Sequence, residues 1–228
     1  MKRLTDAARF AGIAIAAALS CSCSEWREDR LLAAEFIYRA GRDRMDNGAA
    51  AARGFFERHR GALTSRDALG WWMAYAAAEP AEVRAAAAYA LGESRRPLAA
   101  PILARLLQDP DGSVRRSAAE AWGGLRPPPA DNRPLLAATK DPDGWVRAAA
   151  CAALGQVEAA PASPWLVERL ADENGLVRAA AATALARVDP ARARRELEAL
   201  LSDPNGNVRR AVRHALQSAR MAAPTPQR

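Results

Sequence analysis

Small and apolar residues recur along the chain in copies that lie 31 or 32 residues apart. Each copy begins with Asp-Pro-Asp-Gly or a variant, continues with Val-Arg, and ends in a run rich in alanine. The aligned valines are Val83, Val114, Val146, Val177 and Val208. A fixed period in this range is typical of solenoid proteins, in which every repeat is one supersecondary unit. The pattern therefore predicts a repeat array.

The segment after each valine predicts an amphipathic helix. Small residues (valine in the last copy) stand four positions after the valine, alanine stands seven after it, and leucine or tryptophan stands eight after it, so the set falls on one helical stripe. We expect Leu154 and Leu185 of this stripe to be fully buried between successive hairpins. Positions two and five fall outside the stripe and predict an exposed, concave, mostly alanine surface. Its members are Ala85, Ala88, Arg116, Ala119, Ala148, Cys151, Ala179, Ala182, Arg210 and Arg213.

The segment before each valine predicts a turn between two helices. Asp109 precedes Pro110, which ends the preceding helix, and Asp111 is placed to cap the next one beside Gly112. Asp143, Asn174 and Asn205 hold the capping position in the other copies. A leading helix lies upstream, with prolines at or near its start and leucines on its apolar face. These leucines are Leu103, Leu107, Leu135, Leu166, Leu170, Leu197 and Leu201.

The repeated pattern resembles HEAT repeats, most closely the compact HEAT-like class named after phycobilisome lyases. It combines leucines in the leading helix, an aspartate in the turn, and Val-Arg five and six residues after that aspartate. The resemblance covers about 64–219 and implies an all-α fold, a right-handed α-solenoid of about five HEAT-like helical hairpins. The first copy is atypical, because Ala78 replaces the turn aspartate. We therefore expect N-terminal capping helices over 24–63, a repeat domain over 64–220 and a disordered tail over 221–228.

The resemblance also assigns the arginine after each valine to a ladder with the turn aspartates. The ladder residues are Asp109, Arg115, Asp141, Arg147, Asp172, Arg178, Asp203 and Arg209. The alternative is that these arginines form an anion-binding stripe.

Trp145 and Leu176 stand just before their valines and predict an apolar ridge patch, unless Trp145 folds onto a neighbouring turn. The candidate partner-binding residues are these two together with Arg116, Arg210 and Arg213.

The first 23 residues resemble a bacterial lipoprotein signal. A basic start is followed by an uncharged, mostly apolar run from Phe10 to Leu19, too short to span a bilayer, and then by small residues before Cys21. Cys21 is the expected lipidation site, and export to the outer membrane is the expected destination. The alternative is an alanine-rich helix that stays in a cytoplasmic protein.

The composition of the chain excludes fewer functions than the repeats do. The net charge is +7, but the arginines are spread along the chain, so nucleic acid is not an expected partner. The isolated His59 and His214 provide no metal site, and no nucleophile or phosphate-binding motif is present in the sequence. We expect no cofactor and no catalysis. The predicted function is a protein-interaction scaffold for an acidic or helical partner; the alternatives are an accessory subunit of a bilin-lyase-like complex and a basic nucleic-acid-binding protein.

Overall fold

The computed structural model describes residues 58, 61, 70, 72–73, 76–77 and 81–221. The chain divides into two compact units, 1–94 and 95–228. The predicted signal with Cys21, the capping helices apart from two isolated positions, most of the first leading helix and the tail after Met221 lie outside the described residues. Within the described part, no helix is both long enough and apolar enough to cross a membrane.

The first unit contributes one complete described helix, α1, Ala81–Glu93. Its buried face includes Val83 and Leu91, which are at most 1 % exposed. Trp72, from the atypical first repeat, is also fully buried. The stripe predicted for the first copy is therefore in place in this helix.

The second unit is built of helical hairpins, each with a short leading helix and a longer second helix. The leading helices span six or seven residues and the second helices 13 to 16. The helices are α2 (Ala100–Leu106), α3 (Gly112–Gly124), α4 (Arg133–Ala138), α5 (Gly144–Gln156), α6 (Ser163–Arg169), α7 (Gly175–Val188), α8 (Pro190–Glu196) and α9 (Gly206–Met221). Short 3₁₀ helices, Pro97–Ala99 and Ala160–Ala162, precede α2 and α6, and Glu198–Ser202 follows α8. The stacked hairpins form an α-solenoid.

The apolar stripe of the second helices is confirmed as the core. Every residue at the valine position and four, seven and eight positions after it is at most 7 % exposed. Leu154 and Leu185 are fully buried, as predicted. The leading-helix leucines are buried too, except that Leu201 is 40 % exposed. The prediction for Leu201 is wrong, and this residue lies on a 3₁₀ segment of the last described hairpin.

The predicted exposed alanine surface is wrong at five of its ten positions. Ala88, Ala119, Cys151 and Ala182 are fully buried, and Ala148 is 6 % exposed. The prediction assigned burial to the stripe alone and left the positions two and five residues after each valine exposed. In the second unit, α5 packs against α3 on one side and α7 on the other, so its flanks are buried as well. An alanine-lined groove of this kind is absent from the described repeats.

The capping positions are confirmed. Asp111, Asp143, Asn174 and Asn205 each accept a hydrogen bond, 2.8 or 2.9 Å long, from the backbone N–H two residues later. The glycine after each cap has an ordinary negative φ, so a left-handed turn is not its purpose. A Cβ on Gly112 or Gly175 would lie 2.8 or 2.6 Å from the capping side chain of the next repeat. These glycines therefore make room for the neighbouring hairpin.

Candidate functional site

The arginines and aspartates of successive turns form a ladder along one edge of the second unit. Each arginine holds the carboxylate of the following turn with two nitrogens. Arg115 binds Asp141 through Nε at 2.7 Å and Nη2 at 3.0 Å, and Arg147 binds Asp172 with both distances at 2.9 Å. Arg178 binds Asp203 at 2.8 and 2.9 Å. The ladder therefore links neighbouring repeats in one direction, from each hairpin to the next.

The remaining groups of the ladder bind within their own turn. Nη1 of Arg147 donates to the carbonyls of Asp141 at 2.9 Å and Pro142 at 3.1 Å, and Arg178 repeats the arrangement. Each turn aspartate also accepts the amide of the capping residue, as Asp172 does from Asn174 at 2.9 Å. Bidentate, charge-assisted bonds of this kind are strong and geometrically specific. The interior ladder arginines are therefore engaged in bonds within the fold and are not free to bind an anion.

The ladder lowers the pKa of two of its carboxyls. For Asp203 the side-chain hydrogen bond from Arg178 is the main cause. For Asp172 burial is the largest single effect and raises the pKa, but the hydrogen bonds from Arg147 and the Asn174 amide and the charges of Arg147 and Arg169 together lower it. Both carboxylates are thus charged at neutral pH, and both hold their neighbours together in that form.

The C-terminal end of the ladder differs from its interior. At the first turn of the second unit, Asp109 accepts the Asp111 amide at 2.9 Å, as the interior aspartates do from their capping residues. At the other end, Nη1 of Arg209 donates to the carbonyls of Asp203 at 2.6 Å and Pro204 at 3.1 Å. Within residues 81–221, no carboxylate pairs with Arg209 in the way that Asp203 pairs with Arg178. Arg209 is therefore the ladder arginine whose outer edge is open.

The structure offers no reaction centre in the residues it describes. No group of three His, Cys, Asp or Glu side chains there could hold a metal ion. Cys151 is fully buried, and burial raises the pKa of its thiol to about 12, so it is not a thiolate at neutral pH. Cys151 is therefore a small, inert core residue.

A polar cleft of about 600 Å³ lies between two successive turns, lined by residues that include Lys140, Pro142 and Glu173. Sequence reasoning did not anticipate it. Most of its charged groups are already paired: Arg147 holds Asp172, and Arg169 forms ion pairs with Glu168 and Asp172. The cleft is the space between two turns whose backbones are separated and whose side chains are joined by the ladder.

The two candidate ridge residues are both exposed. Trp145 exposes 59 % of its surface and Leu176 exposes 40 %. Each is the second residue of its helix, and its backbone N–H is held by the capping side chain. Large apolar side chains on a rigid turn are a common feature of contact surfaces.

The candidate arginines are exposed, and the structure separates them into two environments. Arg116 lies on α3 and forms an exposed ion pair with Glu120, 3.7 Å long. Arg210 and Arg213 lie on α9, in the last described hairpin, where Arg210 contacts the side-chain oxygen of Asn207 at 3.4 Å. Arg213 occupies the position that holds a buried small residue in the other repeats. The C-terminal pair is thus a separate basic surface, away from Arg116 in the sequence of repeats.

Comparisons with known proteins agree with this architecture. The profile of a family described as HEAT repeats matches residues 68–133 and 132–217. Among solved structures, an engineered protein is 18 % identical with a TM-score of 0.57, over 93 % of this chain and 97 % of that one. A designed armadillo repeat protein is 19 % identical with a TM-score of 0.54, over 92 % and 99 %. The Escherichia coli protein YIBA is 20 % identical with a TM-score of 0.53, over 95 % and 82 %. No curated protein sequence matches the chain.

Proposed function

Because this chain belongs to the HEAT repeat family, we propose that it is a non-catalytic scaffold for protein–protein interaction in the cell envelope. HEAT repeat proteins generally mediate such interactions. The observation that carries the proposal is the ladder, in which the interior Arg115, Arg147 and Arg178 bind the aspartates of neighbouring turns. Since these charges are used inside the fold, recognition falls to the exposed residues outside it.

The exposed residues divide into an apolar ridge and a basic end. The ridge is formed by Trp145 and Leu176, and the basic end by Arg210 and Arg213 on α9. Exposed arginines steer an acidic partner and set its orientation, mainly through the association rate. The apolar side chains supply contact area that excludes water. A partner with an acidic segment, including one that folds as a helix, suits this combination.

The proposed location rests on the sequence near Cys21. The basic start, the short apolar run and the small residues before this cysteine support export and lipid attachment. Ser22 follows the cysteine, and by resemblance to bacterial sorting rules this favours the outer membrane. A lipid anchor would hold the scaffold at a membrane surface and leave the repeats in the aqueous phase.

The function is tested by affinity capture from the cell-envelope fraction, followed by titration of the purified partner. We expect Arg210→Glu combined with Arg213→Glu to weaken binding at low salt, and the difference to shrink as salt rises. The matched control is Arg187→Glu with Arg195→Glu, which reverses two exposed charges elsewhere and should bind as the parent does.

Neither arginine of the test pair lies on the buried stripe, so both double variants should fold. Circular dichroism spectra and unfolding midpoints that match the parent would establish this. If a captured partner binds the Arg210/Arg213 variant with unchanged affinity at low salt, these arginines serve only as the polar cap of the last repeat. If no partner is enriched over the control resin, the scaffold function is wrong.

A further inference from the structure

Three junctions between successive hairpins of the second unit have the same two parts. In the first part an arginine fork holds the carboxylate of the next turn, with both nitrogen–oxygen distances between 2.7 and 3.0 Å. In the second part the capping side chain of the next repeat covers the first glycine of the second helix, as Asn205 covers Gly175. Three junctions, at Arg115, Arg147 and Arg178, share this design.

Helix α9 carries the arginine half of the same junction. Nη1 of Arg209 donates to the carbonyls of Asp203 and Pro204, so the guanidinium is held by its own turn in the same way as those of the interior arginines. A Cβ on Gly206 would meet only Arg209 Nη2, at 3.6 Å, so the space filled by a cap in the other repeats is open. The sequence after Asp203 contains no aspartate or glutamate that could complete the fork.

The rest of this face does not suit another hairpin of the same kind. Arg213 and Gln217 are exposed at positions where the preceding repeats bury small residues, such as Cys151 and Gly155. Stacking an alanine-rich helix here would bury the Arg213 charge without a partner, which is costly. Carboxylates opposite Arg213 remove that cost. The face is therefore complementary to an acidic segment.

A second copy of this chain is a poor occupant of the site. Its first repeat has Ala78 where the turn aspartate would be. Its interior turn aspartates, Asp141, Asp172 and Asp203, are already held by arginines. The repeat turns of a second copy are therefore poor donors of the carboxylate, and the charge of this face favours an acidic turn of a different protein.

We propose that the N-terminal end of α9 binds an acidic turn of a partner protein. One aspartate of that turn forms the bidentate pair with Arg209, an aspartate or asparagine two residues later lies over Gly206, and further carboxylates face Arg213. The inference rests on the scaffold function proposed above and specifies the chemistry of one of its binding surfaces. A turn fits better than an isolated anion, because the fork and the open glycine have to be filled together.

The test follows the arginine side chains of the full ¹⁵N-labelled chain by NMR. The probe is a synthetic 14-residue peptide with Asp-Pro-Asp-Gly followed by glutamates, and the control peptide has Asn-Pro-Asp-Gly. We expect the acidic peptide to shift the Nε–Hε signal of Arg209 while Arg147, already bonded to Asp172, stays in place. The control peptide should bind at least about tenfold more weakly, because it cannot form the charged pair.

Three variants separate a specific site from general charge. Arg209→Gln removes the fork, and Gly206→Leu fills the open space beside Arg209 while keeping the arginine and its charge; each should weaken binding of the acidic peptide about tenfold or more. Arg220→Gln removes the same charge from another exposed position and should bind as the parent does. If Arg209→Gln fails to fold, the comparison of Gly206→Leu with the parent alone tests whether the site is specific.

The inference is overturned if Arg209 does not shift, if the two peptides bind equally, or if Arg220→Gln is as damaging as Arg209→Gln. It is also overturned if a 12-nucleotide single-stranded DNA shifts Arg209 and the acidic peptide does not. A captured partner that binds the Gly206→Leu variant as well as the parent would contradict this site and leave the scaffold function standing. Absence of any captured partner would instead contradict the scaffold function.

Discussion

At the scale of single residues, the turns use one side chain for several purposes. Asp172 closes its own turn by accepting the Asn174 amide, and it also receives both nitrogens of Arg147 from the preceding repeat. The glycine after each capping residue has a similarly specific role, because its missing side chain leaves room for the capping side chain of the next repeat. Because Gly206 lacks such a neighbour, the chain contains an internal control for this role.

We expect Gly175→Ala to destabilise the protein and Gly206→Ala to leave it unchanged or slightly more stable. Alanine at a compatible helical position normally stabilises by about 0.4–1 kcal/mol. At position 175 its Cβ would lie 2.6 Å from Asn205 Nδ2, so the cap of α9 would have to move at a cost of about 1 kcal/mol. Urea unfolding midpoints of the two variants check this, and equal shifts would show that the close approach is tolerated.

Stability should fall in acid through the ladder carboxyls. The pKa of Asp203 in the folded chain is lowered by the hydrogen bond from Arg178, whereas the unfolded chain has the ordinary value of about 3.9. The folded pKa is the lower one, so the stabilisation is complete well above pH 4 and is lost as the pH falls through about 4 towards the folded pKa.

Melting temperatures measured from pH 7 to pH 2.5 check this expectation. Asp203→Asn should melt below the parent at pH 7, and the two curves should approach each other below about pH 4. Curves that stay parallel over the whole range would show that Asp203 contributes nothing through its charge.

The resemblance to HEAT repeats placed the turn aspartates and arginines in one ladder, and both residue types recur at fixed positions in the sequence. It did not reveal that each arginine reaches forward to the next turn, since a period alone has no direction. Nor did it explain Gly112 and Gly175. Their φ angles are ordinary, and the contact that requires glycine comes from a residue about 30 positions away.

At the scale of helices, the second helix of each hairpin bears most of the packing. In α5 the stripe at Val146, Ala150 and Leu154 is fully buried, and so is Cys151 on the flank. The stripe was predictable because 3.6-residue periodicity identifies one face. Burial of the flanks was not, because it depends on α3 and α7, whose separation is set by small residues. A Cβ on Gly155, for example, would lie 2.8 Å from the Ala184 Cα.

We expect Leu154→Ala to lower the free energy of unfolding by about 2–5 kcal/mol, because it leaves a cavity between stacked hairpins. The matched control is Leu98→Ala, since Leu98 is 65 % exposed and its truncation should change stability by less than about 0.5 kcal/mol. Chemical denaturation of both variants provides the comparison. A Leu154→Ala protein as stable as the parent would contradict the assignment of the core.

At the scale of the whole molecule, the location of the scaffold depends on the segment around Cys21. We expect the native protein to partition into the detergent phase and Cys21→Ser to abolish this, because a lipid chain supplies about 0.8 kcal/mol of membrane affinity per buried CH₂. Phase partitioning and mass spectrometry of the mature N-terminus check the prediction. An intact Met1 on protein recovered from the soluble cytoplasmic fraction would contradict it.

The forward-reaching ladder makes the hairpins interchangeable parts. Deleting the 31 residues 146–176 would place Val177 directly after Trp145, and the turn at Asp141 would then lead into the helix that carries Arg178. Both partners of each remaining junction would survive, Arg115 with Asp141 and Arg178 with Asp203. Gene duplication or deletion in units of one period can therefore change the length of such a protein without redesigning the ladder, so its evolutionary unit is the hairpin together with the bond it extends to its successor.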